Sequence, residues 1–263
     1  MNLELNGKVA LVGGSSKGLG KGCAVELAKE GVNLVITGRN TKVLEKTADS
    51  LRKNYGVRVL PFTIDLSDIS MIEILVSKTI DEFKRIDILV VNSGGPPPGS
   101  FFEVESEDWK KSHNLVLGYV LELYKNIVPL MKKQKWGRII NISSLSVKEP
   151  SPGLILSNVY RSGVLSLAKT ISKDLLAYNI TVNTVLPGAF KTDRAIQLME
   201  KAASDTNLPF KDIEVKNIKN LPLGRYQDPS ELGYVVAFLA SEKAKGITGT
   251  SITVDGGLSK GLF

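Results

Sequence analysis

Seven short apolar runs rich in β-branched residues recur along the chain, separated by longer stretches, several of them helical in pattern. They are "KVALVG" (8–13), "NLVIT" (33–37), "VRVLPF" (57–62), "DILVVN" (87–92), "RIINIS" (138–143), "TVNTVL" (181–186) and "SITVD" (251–255). Each run is nearly continuous rather than alternating, the pattern of strands covered by helices on both faces. Between them, "KGCAVELAKEG" (21–31) is closed by Gly31. "DPSELGYVVAFLAS" (228–241) opens on Asp228 with Pro229 at the first helical position. This alternation predicts an α/β fold: one doubly wound, seven-stranded parallel sheet flanked by helices. A length of 263 residues suits one such domain, 1–263, better than two small ones.

Two segments break the alternation. "SGGPPPGSFF" (93–102) follows the fourth strand, and residues 191–224 intervene before the last helix. Connections this long in a compact domain are either disordered or functional. Both emerge at carboxyl ends of strands, where open α/β sheets bind ligands. The second is expected to be a substrate lid.

Composition excludes several classes. The single cysteine, Cys23, allows no intrachain disulfide, and its helical context predicts a buried thiol. One histidine, His113, and no Cys/His cluster leave no metal site. No apolar run is long enough to span a bilayer, and the N-terminus reads as a first strand rather than a signal peptide. A cytoplasmic location is therefore expected. The net charge of +7 has its densest basic run in "MKKQKWGR" (131–138), too short to argue for nucleic acid. A phosphorylated cofactor or an acidic partner is compatible with that charge.

The strongest chemical signal follows the first strand directly. "GGSSKGLGKG" places Gly14, Gly18 and Gly20 in a turn that opens a helix. Glycines let backbone N–H groups approach a pyrophosphate closely, and the helix N-terminus favours the anion. At the end of the second strand, where an NAD site wants an acid for the ribose 2′-hydroxyl, the chain has Gly38 and Arg39. Lys17 adds a second cation. The pair favours a 2′-phosphate and hence NADP(H); the alternative is two solvated loop charges.

With these residues in view, the chain resembles the short-chain dehydrogenase/reductase family, in particular its 3-oxoacyl-(acyl-carrier-protein) reductase-like members. The resemblance runs over nearly the whole chain. It is carried by "GGSSKGLG", "DLSD" (65–68), "VVNSGG", "HNLVLG", "RIINISS", "VLPGAFKT" and "GITGTSITVDGG". It implies a Rossmann fold, an assembly of identical subunits, most simply a tetramer, and a carbonyl-bearing substrate of small or acyl type. Apolar residues on several sides of 107–134, such as Leu115, Leu117, Val120, Leu121 and Leu123, agree with an assembly. The cofactor positions it implies, together with the cations above, are Gly14, Ser16, Lys17, Gly18, Leu19, Gly20, Arg39, Asp65, Leu66, Asn92, Ser93, Gly94, Arg161, Pro187, Gly188 and Thr192. The family's catalytic asparagine and serine fall on Asn114 and Ser144.

The chain departs from the family at three places. Gly13 stands where the glycine motif usually has threonine, and Val91 and Ser93 alter the motif after the fourth strand; these are expected to be mild. The third departure reaches the chemistry. The family's Tyr-x-x-x-Lys pair falls on Ser157 and Arg161 in "SNVYR". The chain is similar to a reductase-like subgroup carrying this variation beside "NSGGP". A tyrosine can titrate when a cation lowers its pKa from about 10. A serine hydroxyl has no accessible pKa, and an arginine does not give up its proton. Tyr160, three residues after Ser157, is a candidate replacement acid; the alternative is a tyrosine packed between helices. Two functions therefore stand: an NADP(H)-dependent carbonyl reductase with a modified proton path, or a non-catalytic dinucleotide-binding protein.

Overall fold

The computed structural model describes residues 2–262; Met1 and Phe263, the ends of the expected domain, lie outside the described residues. The seven strands are β1 (Val9–Val12), β2 (Asn33–Gly38), β3 (Val59–Thr63), β4 (Ile88–Val91), β5 (Gly137–Ile142), β6 (Ile180–Pro187) and β7 (Ser251–Val254). They form one parallel sheet in the order β3-β2-β1-β4-β5-β6-β7. All seven expected strands are present, with no end displaced by more than two residues. The helices are α1 (Gly18–Lys29), α2 (Thr41–Tyr55), α3 (Ile72–Phe83), α4 (Ser106–His113), α5 (Tyr119–Gln134), α6 (Ile155–Leu176), α7 (Asp193–Thr206), α8 (Phe210–Lys219) and α9 (Pro229–Ala240).

Alternation along the strands divides the core. Ala10 and Val12 of β1, with Ile88 and Val90 of β4, pack against Leu27 of α1, Leu44 and Leu51 of α2, and Leu232 and Val236 of α9. Val9, Leu11, Leu89 and Val91 face the other way, onto Leu75 of α3, Leu123 and Ile127 of α5, and Val164 and Leu175 of α6. Successive strand residues point to opposite faces, so a strand between two helical layers must be apolar throughout. Each such aliphatic side chain contributes about 1.5–3 kcal/mol by leaving water. Cys23 is fully buried in the first layer, and burial pushes its thiol up to about 12. Gly31 closes α1 in the left-handed region at φ 75°. Asp228 caps α9 by accepting from the Ser230 N–H, with Pro229 first in the helix.

Two long segments need a closer description. The helical stretch at 107–134 is continuous from Ser106 to Gln134, α4 passing into α5 through one π-helical turn, Asn114–Gly118, whose ends keep right-handed helical dihedrals. Residues 191–224 are helical rather than open loop, supplying α7 and α8. Among the described residues no helix is long and apolar enough to cross a membrane, and no group of three His, Cys, Asp or Glu side chains could hold a metal.

The amino ends of the strands are tied by a buried cation. Arg138 is fully buried at the start of β5. Its guanidinium donates to the carbonyls of Gly137 and Asn179 at 2.9 Å and Ser241 at 3.3 Å, and meets Glu242 at 3.2 Å. We expect Arg138→Met to lower the unfolding free energy by about 2–4 kcal/mol, because it strands buried acceptors. Chemical denaturation checks this; an unchanged midpoint would mean that the guanidinium does not hold these strand ends.

Candidate active site

The chain runs from β1 out to β3, then returns past β1 to β4, so the sheet reverses its strand order between β1 and β4. Their carboxyl ends diverge into a crevice, the place where this topology binds ligands. A cleft of about 780 Å³ opens there. Its floor is the glycine turn. Ser15, buried behind it, donates to the Val12 carbonyl at 2.7 Å and accepts from the Thr37 N–H at 3.0 Å, tying β1 to β2. Asn92, at the end of β4, donates its side-chain amide to the Gly13 carbonyl at 3.0 Å and the Gly14 carbonyl at 3.3 Å. Gly14 and Gly18 lie in the left-handed region at φ 53° and 58°, which curls the turn over the start of α1. The first turn of α1 holds no acid, so its free N–H groups present an unopposed positive end. These features fit the pyrophosphate of a dinucleotide.

Gly38, Arg39 and Asn40 border the cleft at one end. Arg39 is exposed and enters no hydrogen bond or ion pair among the described residues. Asp65 lies nearby. Burial works to raise its pKa, but the Ser67 N–H and hydroxyl and the Arg39 charge prevail and hold its carboxyl below the ordinary range. Lys17 is less free than its position suggests, since its ammonium is paired with Asp193 at the start of α7. Thr192 caps α7 and sits against Gly18.

At the other end, Ser144, Ser157 and Arg161 meet. Ser144 follows β5 and accepts from the Ser146 N–H at 3.1 Å. Ser157 and Arg161 stand one turn apart on α6, and the Arg161 Nε donates to the Ser157 oxygen at 3.2 Å. Nη1 of Arg161 donates to the carbonyls of Ile142 at 3.1 Å and Ser143 at 3.2 Å. Burial, reinforced by the Arg194 charge and opposed by Tyr119, pushes the Arg161 guanidinium down to about 10. Because Arg161 supplies a hydrogen to the Ser157 oxygen, the serine's own proton is left to donate elsewhere.

Every expected cofactor residue lines the cleft except Gly20, which packs beneath the glycine turn. Two expected catalytic residues do not reach it. Asn114 is half-buried at the start of the π-helical turn, with its side-chain oxygen 3.2 Å from the His113 ring, and does not line the cleft; Val116 and Gly118 are the buried residues of that turn. Tyr160 points away from the cleft. Its hydroxyl donates to the Trp109 carbonyl at 2.9 Å, and its ring packs edge-on against Trp109 and His113. It is a helix–helix contact, so the acid role considered for it is withdrawn.

Two residues escaped the sequence reading. Tyr119 is fully buried in a small cavity beside Arg161, and its hydroxyl has no hydrogen-bond partner among the described residues. Gly13 is its counterpart: a Cβ there would lie 3.1 Å from the Tyr119 hydroxyl and 2.3 Å from the Asn92 carbonyl oxygen. Arg194, on α7, reaches across the cleft and donates to the Pro96 carbonyl at 2.8 Å. The bulk of Tyr119 opposite Gly13 was a usable signal; no local pattern marks Arg194.

A parallel sheet with a glycine turn at its switch point and hydrogen-bonding groups opposite defines a dinucleotide-binding oxidoreductase fold. A family model described as enoyl-(acyl carrier protein) reductase matches residues 14–259. The chain is 33% identical over 259 residues to a 3-oxoacyl-(acyl-carrier-protein) reductase of Thermotoga maritima, covering 97% of this chain and 99% of the relative. It is 32% identical over 256 residues to the NADPH-dependent reductase BacG of Bacillus subtilis, covering 97% and 99%. The structure of L-sorbose reductase from Gluconobacter frateurii complexed with NADPH and L-sorbose superposes with a TM-score of 0.94, at 30% identity over all of both chains. An NAD+-bound xylitol dehydrogenase superposes with a TM-score of 0.90, at 27% identity over 97% of this chain and 100% of that one. The chain belongs to the short-chain dehydrogenase/reductase family.

The packing at Gly13 has a measurable consequence. Gly13→Ala forces a methyl group against the Asn92 carbonyl oxygen, and we expect it to cost about 1–3 kcal/mol of stability. Thermal unfolding checks this; an unchanged melting temperature would mean that the turn relaxes freely.

Proposed function

We propose that this chain is an NADP(H)-dependent reductase that reduces the carbonyl of an apolar or acyl-type substrate through Ser157 and Arg161. The observation that carries the reading is the Arg161 Nε to Ser157 hydrogen bond at the cleft, beside Ser144. The cleft residues would hold a nicotinamide dinucleotide, which would supply the hydride for the substrate's carbonyl carbon. The carbonyl oxygen then needs a proton and a stabilised negative charge. Ser157 and Ser144 donate hydrogen bonds to that oxygen, and the buried charge of Arg161 holds the Ser157 oxygen in place and favours the developing anion. Arg161 keeps its proton, so the proton passes through the Ser157 hydroxyl and is replaced from water in the open cleft. Leu115, Leu154, Phe190, Leu198 and Met199 line the same cleft and support an apolar substrate body. Residues 191–224 act as its lid, and the active form is a homotetramer built on the α4–α5 and α6 faces. The partners are then small-molecule or acyl substrates and further copies of this chain.

The absence of a group titrating near neutrality among Ser144, Ser157 and Arg161 favours one rival, a dinucleotide-binding protein without turnover. Steady NADPH consumption on a panel of ketones and 3-oxoacyl thioesters supports the reductase. Tight binding without consumption supports the rival.

The cofactor preference is open to a direct check. Wild type should bind NADPH at least about tenfold more tightly than NADH, and Arg39→Ala should remove most of that margin, since a charged hydrogen bond is worth about 1.5–3 kcal/mol. Equal wild-type affinities in a fluorescence titration would refute it. Gly38→Asp is a poorer probe, because a Cβ there would lie 2.9 Å from the Ser16 side chain. The proton path is checked by the double change Ser157→Tyr with Arg161→Lys. It restores a titratable pair and should raise reduction of activated ketones by about 10²-fold or more. A folded, NADPH-binding and inert double variant beside an active wild type would overturn the account.

A further inference from the structure

The substrate end of the cleft holds two arginines and no acid to match them. Arg161 has hydrogen bonds to Ser157 and to two backbone carbonyls, all neutral. Arg194 has one hydrogen bond, to the Pro96 carbonyl. Neither lies within 4.0 Å of a carboxylate among the described residues, although eleven other ion pairs form. The acids that line the cleft are Asp65 and Asp193, and both are engaged, Asp65 by Ser67 and Asp193 by Lys17. Neither arginine is fully exposed, and burial lowers the pKa of both. A partly desolvated cation without a counter-ion is costly to keep. Here the cost falls on two residues that face the same space.

The start of α7 places Arg194 at the substrate end rather than at the phosphate turn. Thr192 rests on Gly18 and Asp193 reaches Lys17, both on the glycine turn. Arg194 projects the other way, over Gly95 and Pro96 after β4, where a Cβ on Gly95 would lie 3.3 Å from its Nε. Four of its five N–H groups have no hydrogen-bond partner among the described residues. A planar fork of that kind matches the two oxygens of a carboxylate, and apolar Phe190, Leu198 and Met199 around it strengthen the attraction by excluding water.

Building on the reductase reading above, we propose that the substrate is an oxo acid, its carbonyl set against Ser144 and Ser157 and its carboxylate held by Arg194. The positive field of Arg161 favours the same anion. A carrier-bound thioester, neutral near its reacting carbonyl, leaves the Arg194 fork unmatched.

The test uses 2-oxo-4-phenylbutanoate and 4-oxopentanoate, each beside its neutral ethyl ester. Binding to the NADP+-loaded protein is read by calorimetry, and turnover by NADPH consumption. At least one acid should bind about 10-fold or more tightly than its ester. Arg194→Gln should raise that acid's Kd about 10- to 100-fold and leave the ester and NADPH within about twofold; Arg194→Lys should keep part of the preference. Esters that bind as well as acids overturn the proposal. So does an Arg194→Gln variant that loses NADPH affinity as strongly as acid affinity, which would assign the arginine to the cofactor phosphates. The two readings fail separately. Acid preference in calorimetry without consumption of NADPH by any ketone removes the reductase and keeps the carboxylate site, whereas ester turnover without acid preference removes the site and keeps the reductase.

Discussion

The side-chain amide of Asn92 holds the molecule's functional end together. β1 and β4 are neighbours in the sheet, but their connections leave in opposite directions, so nothing covalent keeps their carboxyl ends in register. Asn92 bridges them by donating to the carbonyls of Gly13 and Gly14. That contact, with the backbone bond from the Gly13 N–H to the Val90 carbonyl at 3.0 Å, ties the glycine turn to the end of β4. Gly13 belongs to the same junction. Its missing side chain lets the Asn92 backbone and the Tyr119 phenol approach, and the fully buried phenol then lines the small cavity next to Arg161.

Arg161 shows how the same junction sets the chemistry. Packed at the end of β5, its guanidinium is pinned by the Ile142 and Ser143 carbonyls. A lysine in this position would have one rotatable ammonium and a movable proton; the arginine has a fixed plane and a permanent charge. One of its N–H groups is committed to Ser157, which turns that hydroxyl into a donor facing the cleft. The charge has no acid to balance it among the described residues, and Arg194 repeats the imbalance a short way off. A site that keeps unpaired cations partly out of water is set up for an anion.

Much of this was legible in the sequence because it is written in short range. The glycine spacing, the acid missing after β2, and the serine and arginine one turn apart on α6 each depend on neighbours within a few residues. The errors came where orientation depends on the helix a residue belongs to. Asn114 fits a motif, yet its side chain sits beside the His113 ring and its neighbour Leu115 is the residue of that turn that lines the cleft. Tyr160 is close to Ser157 along the chain, yet α4 captures it through the Trp109 carbonyl and ring. Arg194 had no local signal at all, because its significance comes from Pro96, 98 residues away in sequence.

The sequence by itself determined the seven parallel strands, the layers that cover them and the glycine turn at one end of the cleft. Continuous apolar runs admit no other burial, and a glycine turn between strand and helix has few conformations. Only the tertiary structure decided how these polar groups are set against one another and that Arg194 joins them. Ser157 and Arg161 stand one helical turn apart on α6, but Arg194 arrives from α7 and Ser144 from the end of β5, and no sequence period relates these three elements. Their meeting depends on how α6 and α7 pack over the carboxyl ends of β4, β5 and β6, and the strength of their charges depends on how much water that packing removes.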